Sequence, residues 1–384
     1  MKIGIPIETC EGERRVSITP AGVTVLIKAG CTVLIEDNAG LTAGFSNASY
    51  EEAGGRIVSN RVDIFNEAKV ITQVRAGGAN PDSGLADINH LDQEQLLVGF
   101  LEPLSSPSEI EILAQRHVTA CAMEFIPRTS RAQSMDALSS QANIAGYKAG
   151  LMAAESLPKM FPMMMTAAGT ITPAHVFVVG VGVAGLQAIA TCKRLGAVIQ
   201  AYDVRPAVKD QVQSVGARFV ELELETSASE DAGGYAQAMD ENFYAKQREM
   251  MTRVVGSNDV VITTAAVPGK KAPVLVTEEM VKGMKAGSVI IDLAAERGGN
   301  CELTNPGTTV IKHGVTIVGE LNLPSKVPFH ASQMYSNNIV NFLKLLINDG
   351  SLDPDVDDDI VQSSTITRNG KVVNEQVNIL LTGT

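Results

Sequence analysis

Short runs rich in valine and isoleucine recur along the first third of the chain, at KIGIPI, CTVLIED, KVITQV, LLVGFL and VTACAMEF. Between them the apolar positions move to a spacing of three and four, the period of a helix with one buried face. Strands alternating with helices predict a parallel sheet, since neighbouring parallel strands need a crossover connection that a helix supplies. The opening MKIGIPIE lacks the long apolar core of a secretion signal and reads as the first strand. A long helical pattern from about Ser134 through Ala154 follows, flanked by Pro127 and Pro158, and reads as a bridge into a second lobe.

The second half repeats the grammar. Strands are predicted at 175–180 (HVFVVG), 197–203 (AVIQAYD), 217–222 (ARFVEL), 259–264 (DVVITT), 288–293 (SVIIDL) and 315–320 (VTIVGE), six in all, which with their helices make a doubly wound sheet. From Glu223 to about Gln237 the chain is polar and acidic and holds Gly233 and Gly234. It is too long for a simple connector, and such loops are either functional or without a role. After Pro324 and Pro328 come a helical segment, FHASQMYSNNIVNFLKLLIND, and an acidic tail.

Composition changes this picture in three places. Met160 to Cys192 carries no Asp, Glu, Lys or Arg over 33 residues, longer than the ~20 that cross a bilayer. Pro162, Gly169, Pro173 and His175 interrupt it, and its second half runs strand, glycine turn, helix, so a buried nucleotide-binding unit is predicted and not a membrane span. With 43 acidic and 31 basic residues the formal net charge is -12, which opposes nucleic acid and anionic lipid. The five cysteines are scattered with no C-x-x-C pair and the five histidines form no ligand cluster, so neither a disulfide framework nor a metal is expected, and a reducing cytoplasm fits.

The strongest local signal is VVGVGVAGLQA, which puts Gly180, Gly182 and Gly185 in G-x-G-x-x-G register after an apolar strand and before a helical pattern. The first glycine makes a tight turn, the second lets backbone N–H groups approach a pyrophosphate, and the third permits close packing of the helix, whose positive N-terminus faces the phosphates. Alone, such a turn is also compatible with a packing device. Asp203 ends the next strand, 23 residues after Gly180, where dinucleotide folds place the acid that takes the adenosine ribose hydroxyls. A carboxylate there favours NAD(H) over the extra phosphate of NADP(H). Arg205, two residues on, either accommodates a phosphate or faces solvent or pairs with Asp203.

A second constellation, IPRTSRAQSMDALSSQANIAGY, gathers Arg128, Arg131, Gln133, Asp136 and Ser139 into one loop-to-helix passage. It is equally compatible with an ordinary helix start, capped by Ser130 or Ser134 and with Asp136 at the positive end.

Taken together, SRAQSMDALSS, MMMTAAGT, GVGVAGLQAIATCKRLGA, AGGYA, TTAAVPGKKAPVLVTEEMV and IDLAAERGGNCE resemble the proton-translocating NAD(P) transhydrogenases, over nearly the whole chain. The SRAQSMD passage and the GGY loop separate that family from the related alanine dehydrogenases. The resemblance implies an α/β fold of two Rossmann-like, doubly wound parallel-sheet domains with a cleft between them: 1–140 with a returning segment 325–384, and 141–324. It implies the NAD(H)-binding alpha component (domain I), an oxidoreductase of the Si-type class that is active only with partners and passes a hydride between NAD(H) here and NADP(H) on another subunit. Membrane-spanning subunits would couple this to proton translocation, leaving this chain cytoplasmic and peripheral on the inner face of the membrane. A homodimer is expected on the same ground.

By the same resemblance the pyrophosphate lies at Gly180, Gly182 and Gly185 and the ribose at Asp203, with Val183, Val204, Arg205 and Ala266 lining the site. Arg128, Gln133, Asp136 and Ser139 meet the nicotinamide end. Gln133 can donate and accept, Asp136 can accept and Arg128 can donate, which suits a carboxamide. Gly234 and Tyr235 resemble the family's mobile loop, with Gln247 on the helix beyond, its glycines serving as hinges. No general acid or base is assigned, because a hydride passing between two rings needs none.

Two other readings stand beside this one. In an alanine dehydrogenase, Arg15 of GERRVSITP would hold a substrate carboxylate, but Gln73 stands before Val74 where those relatives carry a lysine, and FLEPL offers Glu102 and no histidine. Without them, orienting and protonating a keto acid is hard. A non-catalytic NAD-binding regulatory subunit would not require Arg128, Gln133 and Asp136. IPIE near the start also departs from the IPKE or IPRE of the wider family.

Overall fold

Both sheets owe their runs of valine and isoleucine to being covered on two faces, so that successive residues of one strand enter different apolar layers. The computed structural model describes residues 1–221, 241–267, 269–353 and 356–383, the stretch 241–244 by its backbone alone. Internal packing divides the chain into two units, Met1–Gln141 with Ser325–Thr384, and Ala142–Pro324.

In the first unit eight strands lie in the order Lys371–Val372, Thr365–Arg368, Thr119–Ala122, Leu96–Phe100, Val70–Arg75, Lys2–Ile5, Thr32–Glu36 and Arg56–Val58. The six from the N-terminal part are parallel. Ile3, Ile5, Val33, Ile35, Val70 and Val98 fill one layer and Leu34, Ile71, Leu97 and Ala120 the other. The helix Pro328–Leu346 closes the first layer with Tyr335, Ile339, Phe342, Leu343 and Leu346. What reads in sequence as an acidic tail is structured: Thr365–Arg368 pairs antiparallel with Thr119–Ala122 and then with Lys371–Val372, and short helices span Asp359–Ser364 and Glu375–Thr382.

Among the described residues the main sheet of the second unit has seven strands, in the order Arg218–Phe219, Val198–Tyr202, His175–Val179, Val260–Thr263, Val289–Asp292, Val315–Val318 and Thr309–Lys312. The last is antiparallel to its neighbour and adds a seventh strand to the six expected. Val176, Val178, Ile199, Val260, Ile262 and Ile291 face one layer, and Phe177, Val179, Val261, Ile290 and Ile317 the other. The strand order reverses at His175–Val179, whose neighbours are the next strand in the chain on one side and a much later one on the other. In open α/β sheets, ligands bind beyond the carboxyl end of such a switch point.

Two further differences from the pattern have local causes. The helix expected from Ser134 begins at Ala137, after a 3-10 turn over Ser130–Met135. Asp136, not Ser130 or Ser134, caps it: its Oδ1 accepts the Ser139 N–H at 2.8 Å, satisfying a donor that a first turn leaves unpaired. Inside the uncharged stretch, Met164–Thr166 and Gly169–Ile171 form a hairpin. Among the described residues no helix is long and apolar enough to cross a membrane.

Candidate functional site

The switch point of the second unit is where the glycine turn lies. Gly180 takes φ +92, a left-handed conformation that a side chain resists. A Cβ on Gly185 would stand 2.0 Å from the Gly180 carbonyl oxygen, so the helix Val183–Arg194 can start against the strand end only with glycine there. At Gly182, the residue before that helix, a Cβ would meet nothing within 4 Å among the described residues, which leave this face of the turn open. Open backbone at a helix N-terminus is an anion cradle, and these residues fit a dinucleotide pyrophosphate.

Asp203 follows the adjacent strand and is buried. Its Oδ2 accepts the Val181 N–H at 2.7 Å, which ties it to the glycine turn, and Arg205 pairs with it through Nε at 2.9 Å and Nη2 at 2.9 Å. Of the alternatives open for Arg205 in sequence, the structure shows the Asp203 pair. Val204 is half-buried beside it, and Val183 and Ala266 are exposed at the first helical turn and in the loop after Val260–Thr263. Gln247, on the helix Glu241–Ser257, donates from Nε2 to the Tyr202 hydroxyl at 3.0 Å, one residue from Asp203. Gly234 and Tyr235 lie outside the described residues.

Sequence reasoning missed the supports. Thr264 donates from Oγ1 to the Gly180 carbonyl at 2.8 Å. Asn300 is fully buried, accepts the Ala265 N–H at 3.0 Å and donates to the Ala265 and Pro273 carbonyls, each at 2.8 Å. The strand-end position of Thr264 was a usable signal, whereas nothing local marks Asn300.

The other predicted residues belong to the first unit. Arg128 and Gln133 are exposed, and Asp136 and Ser139 half-buried. The Ser139 hydroxyl donates to Asp136 Oδ2 at 2.5 Å, so Asp136 spends one acceptor position on each oxygen within its own helix start and, with about four positions in all, keeps others for a ligand. The passage is pinned by the returning segment: Asn338 donates to the Ser134 carbonyl at 2.9 Å, and Arg131 pairs with Asp358 at 2.6 Å and with Asp359.

Arg15 is 3% exposed and committed internally, with Nε on Glu13 Oε1 at 2.7 Å, Nη2 on Glu13 Oε2 at 2.6 Å and Nη1 on Gln141 at 2.9 Å. Gln73 donates to Asp87 at 2.8 Å. Glu8, from IPIE, accepts the N–H groups of Val74 and Arg75, and burial together with the nearby Glu13 charge pushes its carboxyl up to about 8.

A doubly wound sheet, a glycine turn at its switch point and an acid on the neighbouring strand define a dinucleotide-binding protein of the Rossmann type. The chain belongs to the alanine dehydrogenase/PNT family, whose N-terminal domain model matches residues 4–145 and whose C-terminal domain model matches residues 149–375. It is 46% identical to the first part of the NAD(P) transhydrogenase alpha subunit of Rhodospirillum rubrum, over 97% of this chain and 98% of that one. It is 30% identical to alanine dehydrogenase 2 of Staphylococcus aureus, over 91% of this chain and 88% of that one. The solved transhydrogenase of Sinorhizobium meliloti superposes with a TM-score of 0.87 at 40% identity, covering 97% of this chain and all of the other.

Proposed function

We propose that this chain is the NAD(H)-binding component of a proton-translocating transhydrogenase, passing a hydride between NAD(H) on its second unit and NADP(H) on a partner subunit. The observation that carries this is the 46% identity to a transhydrogenase alpha subunit over nearly the full length of both chains. The open glycine turn and the Asp203 carboxylate beside it support the nucleotide site. The nicotinamide ring supplies the hydride chemistry. What these residues contribute is orientation: Gly180, Gly182 and Gly185 seat the pyrophosphate, Asp203 the ribose, and Arg128, Gln133, Asp136 and Ser139 the carboxamide. Holding two rings in a reactive geometry is itself worth several orders of magnitude in rate. Gly234, Tyr235 and Gln247 complete the nucleotide-binding set in this reading.

The alanine dehydrogenase alternative is disfavoured by Arg15, whose guanidinium is engaged by Glu13 and Gln141, and by the amide at Gln73. The expected result by calorimetry on the whole chain is tighter binding of NADH than of NADPH, no reduction of NAD+ with alanine, and reduction of NADP+ by NADH only after the NADP(H)-binding subunit is added. Turnover of alanine by the chain alone would sink this reading.

The same reading includes a homodimer and attachment to the membrane face through membrane-spanning partner subunits. Support for self-association comes from the hairpin Met164–Thr166 with Gly169–Ile171, where Met163 is 60% and Met165 75% exposed beside Met164 and Ile171. Two short strands with open edges and apolar tips are a surface that monomers rarely leave uncovered. Met165→Lys is expected to shift the chain from dimer to monomer in sedimentation velocity at micromolar concentration. An unaltered dimer would place the interface elsewhere.

A further inference from the structure

The Asp203 carboxylate has about four positions at which it can accept a hydrogen bond, and all four are filled from within its own unit. Oδ2 takes the Val181 N–H at 2.7 Å and Arg205 Nη2 at 2.9 Å, while Oδ1 takes the Arg205 backbone N–H at 2.9 Å and Arg205 Nε at 2.9 Å. Two of these donors are backbone groups held by the fold. The other two belong to one guanidinium, which also reaches the Val181 carbonyl at 3.4 Å and is itself largely buried.

A ribose diol donates through two hydroxyls and needs two acceptor positions. The Val181 N–H belongs to the glycine turn and the Arg205 N–H to the backbone beyond the strand, so the two positions that a side-chain movement alone vacates are those filled by the Arg205 guanidinium. We infer that Arg205 is a built-in competitor of the nucleotide: its guanidinium occupies the ribose-diol positions on Asp203 and must be displaced for NAD(H) to bind. The inference rests on the reading of Asp203 as the ribose-binding acid.

Two consequences follow from charge and from hydrogen bonding. Displacement exchanges two charge-assisted bonds of an arginine for two bonds from neutral hydroxyls, so the nucleotide binds less tightly than the cradle would otherwise allow. The guanidinium also cancels the Asp203 charge and, once displaced, stays beside the 2′ position, where it offsets the repulsion of a 2′-phosphate. Arg205 therefore lowers affinity for NAD(H) and narrows the margin against NADP(H). It is a specificity-determining residue acting through Asp203.

The test is calorimetry of NADH and NADPH on the whole chain and its variants Arg205→Met, Arg205→Lys and Asp203→Asn, with a thermal melt of each to establish folding. Arg205→Met is expected to tighten NADH by about three- to tenfold and to weaken NADPH, widening the ratio by about tenfold or more. Arg205→Lys, whose ammonium cannot hold both carboxylate oxygens in the same fork, is expected to fall between, and carries the test if the methionine variant does not fold. Asp203→Asn is expected to weaken NADH by about tenfold or more. If it leaves NADH binding unchanged, the ribose assignment itself fails. If it weakens NADH while both Arg205 variants bind NADH no better than the parent, Arg205 is a nucleotide contact or a bystander and the competitor role is overturned.

Discussion

Gly185→Ala is expected to weaken NADH binding by roughly 10- to 100-fold and to lower the melting temperature of the chain. The added Cβ would lie 2.0 Å from the Gly180 carbonyl oxygen and 3.0 Å from its carbonyl carbon, both backbone atoms with no side-chain freedom to give way. Strand end and helix start must separate, and inserting a methyl into packed structure costs about 1–3 kcal/mol or more. The N–H groups of the first helical turn then no longer converge where a pyrophosphate would sit. Gly182→Ala provides the contrast. Its Cβ meets nothing within 4 Å among the described residues, so its melting temperature is expected to match the parent while NADH binding still falls, because the methyl occupies the space the phosphates need. Calorimetry and a thermal melt on the two variants separate these outcomes. If Gly185→Ala bound NADH as the parent does, the glycine turn would not be the nucleotide cradle.

The second large effect is one of pH. Glu124 sits in the 3-10 turn after Thr119–Ala122, and its Oε1 accepts the N–H groups of Leu101 at 2.8 Å and Glu102 at 2.6 Å. Its Oε2 is buried with no hydrogen-bond partner among the described residues. Burial, with a lesser push from the Glu102 charge, raises its carboxyl from 4.5 to about 7. Between those values the folded chain holds a proton that the unfolded chain has released, so stability is full below about 4.5 and is lost as pH rises through about 7. The shift corresponds to about 3 kcal/mol.

Glu124→Gln keeps the acceptor and removes the charge. It is expected to melt with the parent near pH 4 and roughly 6–10 °C above it at pH 8. Glu8, raised to about 8 by burial and Glu13, slopes the same way, so some pH dependence remains in the variant. Parent and variant curves that stay parallel from pH 4 to 8 would show that folding leaves the Glu124 carboxyl at its ordinary value.

The central strands of both units are legible in sequence because they are buried on two faces and read as unbroken apolar runs, as HVFVV and VVIT do. Several others are not, although the edge strand Arg218–Phe219 falls within the predicted 217–222. Arg56–Val58 and Thr309–Lys312 are short and carry polar or exposed positions, and Thr365–Arg368 finds its partner at Thr119–Ala122, more than 240 residues away, where no local window sees it. The glycine register marks the turn at Gly180 because backbone conformation demands specific residues there. The engagement of Asp203 by Arg205 is one of several readings in sequence, since a two-residue spacing permits the pair without requiring it. The charge of Asp136 points to a helix start, yet the apolar pattern places that start three residues early, because the capping role depends on where the 3-10 turn ends.

The return of residues 325–384 to the first unit bears on how the chain is made. A ribosome delivers the parallel strands of that unit first, with the layer holding Ile3, Val33 and Val98 uncovered until Pro328–Leu346 has emerged and the Thr119–Ala122 edge unpaired until Thr365–Arg368 follows. The second unit, contiguous from Ala142 to Pro324, has its strands and core in hand before then. Synthesis thus runs against position: the unit whose strands are made first matures last, and for much of translation it is an exposed, aggregation-prone surface. Nascent-chain protection by chaperones would accordingly matter most for the first hundred and forty or so residues, long after they leave the tunnel.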